Sequence, residues 1–520
     1  MSFLTNNFLQ ITNTKLSFTG DDFFWLLPEF IVLVTATLIV IVDLFLSKRS
    51  RPALGYLALI GYAAAIVAAA FEYSSNNAVH SSFNRMFVRD NFTTFFDIVF
   101  LIIGILTVFV TPAYVLKRNI PLGEVYSIQA YAVLGMMLVA ASGDLMIVFV
   151  GIELVSIASY ILTAFGRGDK GSAEGALKYF LLGIFATAIL VYGMAWTFGM
   201  TGSTNLADIN KAIATTSGMA SDPGLTFAML MLIVGFGFKI AAVPFHVWTP
   251  DAYEGAPTPI TAFMSVGPKA AGFAALLRVM VQGLPAMAAQ WSVIIAVLAV
   301  LTMTLGNVVA IAQKSVKRML AYSSIAHTGY IMVGLAAYLN TAAPDRQKDA
   351  LSSVMIYSLI YAFMNIGAFG ILIYVQNRQG GADVNDFNGL ALWSPAAALA
   401  MAVCLLSLTG IPPTGGFLGK FYVFRAAIDN GYTWLAVVGV LNSAVSAYFY
   451  LRVIYTMYFY PVSDETRERL QPTKAGFIAA GLAIICVAIL VLGIIPDPAL
   501  NMARDGAAPL LQVVQTAVGH

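Results

Sequence analysis

From Phe24 to Ile495 the chain is a succession of apolar runs, each about 20 residues long and closed by a short polar stretch. Coiled as helices, runs of that length match the hydrocarbon thickness of a bilayer. Lipid offers no hydrogen bonds, so only helices or closed barrels satisfy every backbone group there, and unbroken runs this long exclude strands. About fourteen spans are expected, near Phe24–Leu46, Ala53–Phe71, Phe92–Leu116, Glu124–Ala141, Leu145–Ala164, Ser172–Met200 and Leu225–Val243, then Pro259–Gln282, Trp291–Ala312, Arg318–Leu339, Leu351–Gln376, Trp393–Ala427, Trp434–Tyr460 and Lys474–Ile495. The fold class is therefore all-α and integral to the membrane.

Composition agrees: 59% of the 520 residues are hydrophobic, only 10% are charged, and the mean hydropathy is +0.82. Soluble chains carry roughly a quarter charged residues, so this one has too few to cover a surface in water. A net charge of +2 without a basic cluster gives no reason to expect a nucleic-acid partner. Cys404 and Cys486 lie in apolar stretches without metal-ligand spacing and read as small buried hydrophobes. The polar start and the long apolar run after Asp22 do not read as a secretory signal.

Loop charges set the expected orientation. Lys48, Arg49, Arg51, Lys117, Arg118, Arg167, Lys170, Lys314, Lys317, Arg318, Arg378, Arg467, Arg469 and Lys474 fall on one side. Lys15, Arg85, Arg89, Lys211, Arg346, Lys348 and Arg504 fall on the other. The richer side should face the cytoplasm, which puts both termini outside. The longest polar interruptions, around Glu72–Asn91, Thr201–Gly224 and Asn340–Asp349, leave no room for a nucleotide-binding or catalytic domain.

Two spans carry the same irregularity. One reads GFGFKIAAVPFHVWTPDAYEGAPTP, with Pro244 just beyond Lys239; the other reads LTGIPPTGGFLGKF, with Pro412 and Pro413 ahead of Lys420. Proline removes a backbone donor and clashes with the preceding turn, so both helices should break mid-membrane. Interrupted helices at corresponding places in two halves mark transporters built from inverted repeats. The expected division is 1–117 for helices one to three, 118–285 for a first repeat of spans four to eight, 286–460 for a second repeat of spans nine to thirteen, and 461–520 for the last helix and tail.

The ionisable residues inside the spans carry the functional reading. Seven of the 28 Lys and Arg fall there: Lys178, Lys239, Lys269, Arg278, Lys420, Arg425 and Arg452, with Glu153 and His327 beside them. One charge at a helix centre costs about 2.5–3.5 kcal/mol, so these groups should face one another or water inside the bundle. Glu153, near mid-depth, reads as a relay or coupling carboxylate, against a structural ion pair. Lys239, Lys269 and Lys420 read as relay lysines, because a lysine can change protonation when its partner moves; the bland alternative is a locked or snorkelling side chain. Lys178 lies in the second turn of its helix and reads either as a partner of Glu153 or as a snorkelling residue.

His327 suits proton transfer near neutrality but fits a hydrogen-bonded core histidine as well. His246, beside Pro244, reads as a gate at proton intake or as a cap on exposed carbonyls. His80 and His520 are assigned nothing. Arg278, Arg425 and Arg452 stay charged and should pair structurally or near the interface. Glu29 and Asp43 read as interfacial, and Asp97 is open.

Two motif matches lead nowhere. Gly166-Arg-Gly168-Asp-Lys-Gly171 fits GxGxxG but follows no strand, and GGFLGKF lacks the first glycine and the Ser/Thr of a phosphate loop. Nor is there a ligand set for flavin, haem or an iron–sulfur cluster.

The segments GIELVSIASY, ALKYFLLG, GFKIAAVPFHVWTPDAYEGAPTP, VGPKAAGF, NVVAIAQKSVKRMLAYSSIAHTGY and GIPPTGGFLGKFYVF resemble the antiporter-like subunits of respiratory complex I, the subunit N branch in particular. The resemblance covers most of Gly151–Phe424. It implies a coupling pair at Glu153 and Lys178 and a hydrophilic axis through Lys239, Lys269 and Lys420. It also implies other membrane-arm subunits as partners, with FMN, iron–sulfur clusters and quinone held in those other subunits and no cofactor in this chain. The expected function is proton translocation coupled to quinone reduction, with NADH or ferredoxin as donor, in a bacterial inner membrane or a thylakoid-type one. The alternative is an Mrp-type sodium/proton antiporter with no redox partner.

Overall fold

The computed structural model describes residues 20–47, 50–73, 78–166, 168–338, 343–462 and 476–518, without the side chains of Asp21 and 513–518. Lys15, Lys48, Arg49, Arg167, Arg467, Arg469, Lys474 and His520, used above, lie outside the described residues, as does the end of the tenth expected span at Leu339. The membrane helices run in chain order. The first six are α1 (Leu27–Phe45), α2 (Leu54–Glu72), α3 (Asn91–Val115), α4 (Leu122–Ala140), α5 (Leu145–Thr163) and α6 (Lys170–Thr201). Next come α7 (Pro223–Lys239), α8 (Trp248–Gly255), α9 (Thr258–Leu276), α10 (Ala288–Ile311), α11 (Val316–Ala336) and α12 (Pro344–Gln379). The chain closes with α13 (Pro395–Thr409), α14 (Gly415–Asp429), α15 (Thr433–Phe459), α16 (Gly476–Ile494) and α17 (Asp497–Val518).

Among the described residues, 11 helices are long and apolar enough to cross a membrane. Three of the fourteen expected spans do not qualify as single long apolar helices, and each has a physical reason. α7 stops short at the first break, α13 and α14 are two pieces of one span, and α11 carries Ser323, Ser324, His327 and Thr328 in its interior. Three features were not expected. A small hairpin pairs β1 (His80–Ser82) with β2 (Phe87–Arg89), an amphipathic helix runs Leu206–Thr215, and the tail forms α17, which packs on α3 and α12.

The two repeats carry a common device. Asp144, which caps α5, forms a β-bridge with Asn205 just after α6; Ser315, which caps α11, forms one with Asp383 just after α12. In the first, Leu145 N donates to Thr204 O at 2.9 Å and Leu206 N to Gly143 O at 3.0 Å; in the second, Val316 N donates to Ala382 O at 2.7 Å and Val384 N to Lys314 O at 2.9 Å. Each repeat thus ties the start of its second helix to the end of its third.

Both expected breaks are present. Pro244 lies between α7 and α8, and Pro412 and Pro413 lie between α13 and α14. Broken backbone in lipid must find partners, and here it does. Phe238 O accepts from Trp248 Nε1 at 3.1 Å, Ile240 O from Thr328 Oγ1 at 2.9 Å, and Val243 N donates to Thr302 Oγ1 at 2.9 Å. At the second break Gly416 N donates to Ser407 Oγ at 3.0 Å. The first break also holds Ala241 at φ 60, a left-handed conformation that side-chain-bearing residues seldom adopt.

Candidate functional site

The charged residues inside the bundle come from the broken helices and their neighbours. Lys239 is the last residue of α7, where the helix ends because Pro244 cannot continue it. Its ammonium has three oxygen neighbours: Ser156 Oγ at 2.8 Å, Thr187 Oγ1 at 3.3 Å and Glu153 Oε1 at 3.5 Å. Glu153 Oε1 in turn accepts from Thr187 Oγ1 at 2.7 Å. A carboxylate and an ammonium are thus linked partly through the Thr187 hydroxyl, an arrangement that can tighten or loosen with small side-chain moves.

Lys178 is not in that cluster. Its Nζ lies 2.7 Å from Glu174 and 3.0 Å from Asp251, and its side chain is 46% exposed. Thr187, which touches Glu153, is nine residues further along α6, about 13 Å at 1.5 Å per residue. The Glu153–Lys178 pair expected from the sequence is therefore not formed; Glu153 holds Lys239 instead. Asp251, within the TPDAYEG stretch, competes for Lys178 and also lies 3.6 Å from Arg318.

Lys269 lies deep in α9, 3% exposed, and donates to the carbonyl and hydroxyl of Ser324 on α11. Beside Lys239 is a cavity of about 10 Å³, bounded also by Ser156, Tyr179 and Pro268. That volume is at the lower limit for one water molecule.

His327 sits in a ring of tyrosines. Its Nδ1 is 2.9 Å from the Tyr357 hydroxyl and its Nε2 3.2 Å from that of Tyr450, which also bonds Ser323; the imidazole stacks on Tyr361. Lys420, on α14, donates to Thr409 O at 2.8 Å and lies 4.7 Å above the centre of the Tyr330 ring. Thr409 is the last residue of α13, so this ammonium meets the negative end of a helix dipole. No direct hydrogen bond joins Lys269, His327 and Lys420 to one another among the described residues; hydroxyls and rings stand between them.

His246 is half-buried in the first break, and Pro244, Pro412 and Pro413 are exposed on the surface of the chain. Lys317, at the start of α11, donates to Glu254 O at 2.8 Å and Ala256 O at 2.6 Å, the carbonyl end of α8. It lines a cavity of about 240 Å³ together with Arg118, Asp169 and Glu254.

Of the other ionic residues, Glu29 and Arg425 depart from the sequence reading, whereas Arg278 and Arg452 find the structural partners it expected. Glu29 is buried against Arg89 rather than interfacial, and Asp97 joins them. Arg278 is buried and paired with Asp90 at 2.7 Å. Arg425 faces outward, 57% exposed, beside Asp429, and so does not turn into the bundle. Arg452 donates to the carbonyls of Ile311 and Gln313, capping the end of α10.

The sequence reading missed Ser156, Thr187, Ser324, Tyr357, Tyr450 and Asp251. Ser156 had a signal, since it lies three residues after Glu153 on one helix face. Ser323 and Ser324 stand beside His327 in AYSSIAHTGY. The tyrosines had none, because their role depends on helices distant in sequence.

A family model described as "NADH:quinone oxidoreductase/Mrp antiporter, TM" matches residues 142–446, the part that holds Glu153, Lys178, Lys239, Lys269, His327 and Lys420. The chain is 46% identical over 481 residues to an NADH-quinone oxidoreductase subunit N of Trichlorobacter lovleyi, covering 92% of this chain and 96% of that one. It belongs to the subunit N family. In structure this subunit N family member is similar to a chain of respiratory complex I from Thermus thermophilus with bound aureothin. The TM-score is 0.74 at 31% identity, over 91% of this chain and 98% of that one. It also has the fold of a chain in the Mrp complex from Dietzia sp., with a TM-score of 0.80 at 22% identity, over 96% of this chain and 100% of that one. That second likeness is one of fold alone.

Proposed function

We propose that this chain is the proton-translocating subunit N of an NADH:quinone oxidoreductase membrane arm, and that its proton route runs through Glu153, Lys239, Lys269, His327 and Lys420. In this reading quinone reduction elsewhere in the complex shifts charge near the chain. The Glu153–Lys239 contact then opens or closes, and the proton of Lys239 moves by way of Lys269 and His327 to Lys420. Lys178 acts as a movable counter-charge, held by Glu174 and Asp251 when it is away from Glu153. His246, Pro244, Pro412 and Pro413 stand at the breaks, where intake and release would be gated.

The supporting observation is the placement of four buried titratable groups, Lys239, Lys269, His327 and Lys420, on or against two broken helices; among the described residues only Lys239 has a carboxylate partner, Glu153 at 3.5 Å. Buried ammonium groups seldom add stability over apolar packing, so retaining three of them points to work beyond folding. The division at residues 117, 285 and 460, termini on the outer side, and FMN, iron–sulfur clusters and quinone in partner subunits complete the proposal. The 46% identity to a subunit N favours this reading over the Mrp-type antiporter.

The test is proton pumping by reconstituted complex carrying Lys239→Ala or Lys420→Ala, with quinone reduction followed in parallel. The proposal expects pumping per quinone reduced to fall sharply in assembled complex. Pumping intact in both variants would make these lysines structural and sink the route.

A further inference from the structure

The most heavily charged buried place in the molecule lies outside this route. Arg89, at the end of β2, is surrounded by three carboxylates from three helices: Glu29 in the first turn of α1, Glu72 at the last residue of α2 and Asp97 in the second turn of α3. Its Nη2 donates to Glu29 at 2.7 and 3.0 Å, its Nε lies 2.8 Å from Glu72 Oε2, and its Nη1 bonds Asp97. Nε also donates to Trp25 O at 3.1 Å. None of the four side chains is more than 2% exposed.

Among the described residues no cation other than Arg89 pairs with these carboxylates. Arg278 is neutralised by Asp90, with bonds of 2.7 and 2.8 Å. His80 stacks on Trp25 with ring centroids 3.8 Å apart. With all three carboxylates ionised, two negative charges would be uncompensated in a dry site, at a cost of several kcal/mol each. The hydrogen-bond inventory points the same way. Glu29 and Asp97 sit on neighbouring nitrogens of one guanidinium, Nη2 and Nη1, so two carboxylates with no hydrogen to offer are held side by side. Asp97 Oδ1 and Glu72 Oε1 are buried acceptors without a partner. Among the described residues no three His, Cys, Asp or Glu side chains are grouped to hold a metal ion.

We propose that Glu29 and Asp97 share a bound proton, making the Arg89 cluster a second proton-holding site, built from the N-terminal three helices and separate from the lysine route. A proton between the two neighbouring carboxylates allows an O–H···O⁻ hydrogen bond, and it removes one of the two uncompensated charges. The three carboxylates lie at the ends of their helices assigned above to the outer side, with the β1–β2 hairpin that carries Arg89.

The test is infrared spectroscopy of the assembled complex in lipid, native against Asp97→Asn, Glu29→Gln and Glu72→Gln. One carboxylic-acid carbonyl band, shifted in D₂O and persisting at neutral pH, is expected in the native protein and after Glu72→Gln. It should be lost after Asp97→Asn and after Glu29→Gln. A second readout needs no variant. A hydrophobic carbodiimide reacts with neutral carboxyls, and peptide mass spectrometry of the treated native complex should find the adduct on Glu29 or Asp97. Spectra identical for native and variant complex, with neither residue modified, overturn the proposal. So does a band that appears only when sodium is withdrawn, since a metal cation would then fill the site.

Discussion

Replacing Glu153 by glutamine isolates the charge term at the centre of the proposed route. The Lys239 ammonium lies 3.5 Å from Glu153 Oε1. At an effective dielectric of about 20 the attraction is about 5 kcal/mol. The Glu153 side chain is 23% exposed, and screening there reduces the usable part to about 2–3 kcal/mol. Glutamine keeps the shape and the bond from Thr187 but loses that attraction. The ratio of engaged to disengaged Lys239 should therefore fall by about 30- to 160-fold. Reconstituted Glu153→Gln complex is expected to reduce quinone with a clearly lower number of protons pumped per turnover, measured by a pH-sensitive dye in sealed vesicles. Glu153→Asp, which keeps the charge one carbon further back, should fall between the two. Native stoichiometry in Glu153→Gln would refute the idea that this charge pair is the switch.

Three further outcomes follow from the geometry. Gly410 has φ 90, and a Cβ there would lie 2.9 Å from Lys420 Cδ, so Gly410→Ala should cost about 1–2 kcal/mol of backbone strain and push Lys420 off Thr409; lowered thermal stability together with reduced pumping would register both. Asp90→Ala leaves the Arg278 guanidinium buried and unpaired, a loss of about 3–5 kcal/mol that should appear as failed assembly on native gels. Tyr450→Phe removes the hydroxyl between Ser323 and His327. Assembly should persist, at a stability cost of about 1–2 kcal/mol, while pumping drops.

Length and hydropathy made most of the helices legible, because a bilayer enforces both. The two breaks were legible as well, and both Pro244 and the Pro412–Pro413 pair fall between half-helices, whereas Pro112 and Pro268 sit inside unbroken ones. The count was less so. α11, counted from the sequence as Arg318–Leu339, forms but is too polar to rank among the long apolar helices, since its serines and His327 are buried among other helices. The amphipathic α17 was hidden for the opposite reason, too polar for a membrane run yet docked on α3 and α12. At the candidate site, depth along a helix located Lys239, Lys269 and Lys420, but pairing depends on which helices touch. That is why Lys178 was matched with Glu153 rather than Asp251. The Arg89 cluster needed three helices and a hairpin brought together, and no window of sequence contains it.

Two ammonium groups, those of Lys420 and Lys317, rest on main-chain carbonyls at the ends of half-helices, not on acidic side chains. Their electrostatic cradle is therefore written in the path of the backbone. Exchanging neighbouring side chains leaves such a cradle standing, whereas inserting a single residue ahead of either break would rotate it by about 100° and aim it elsewhere. The length of the half-helices, more than the identity of the residues around them, should be what drift in this part of the chain is unable to alter.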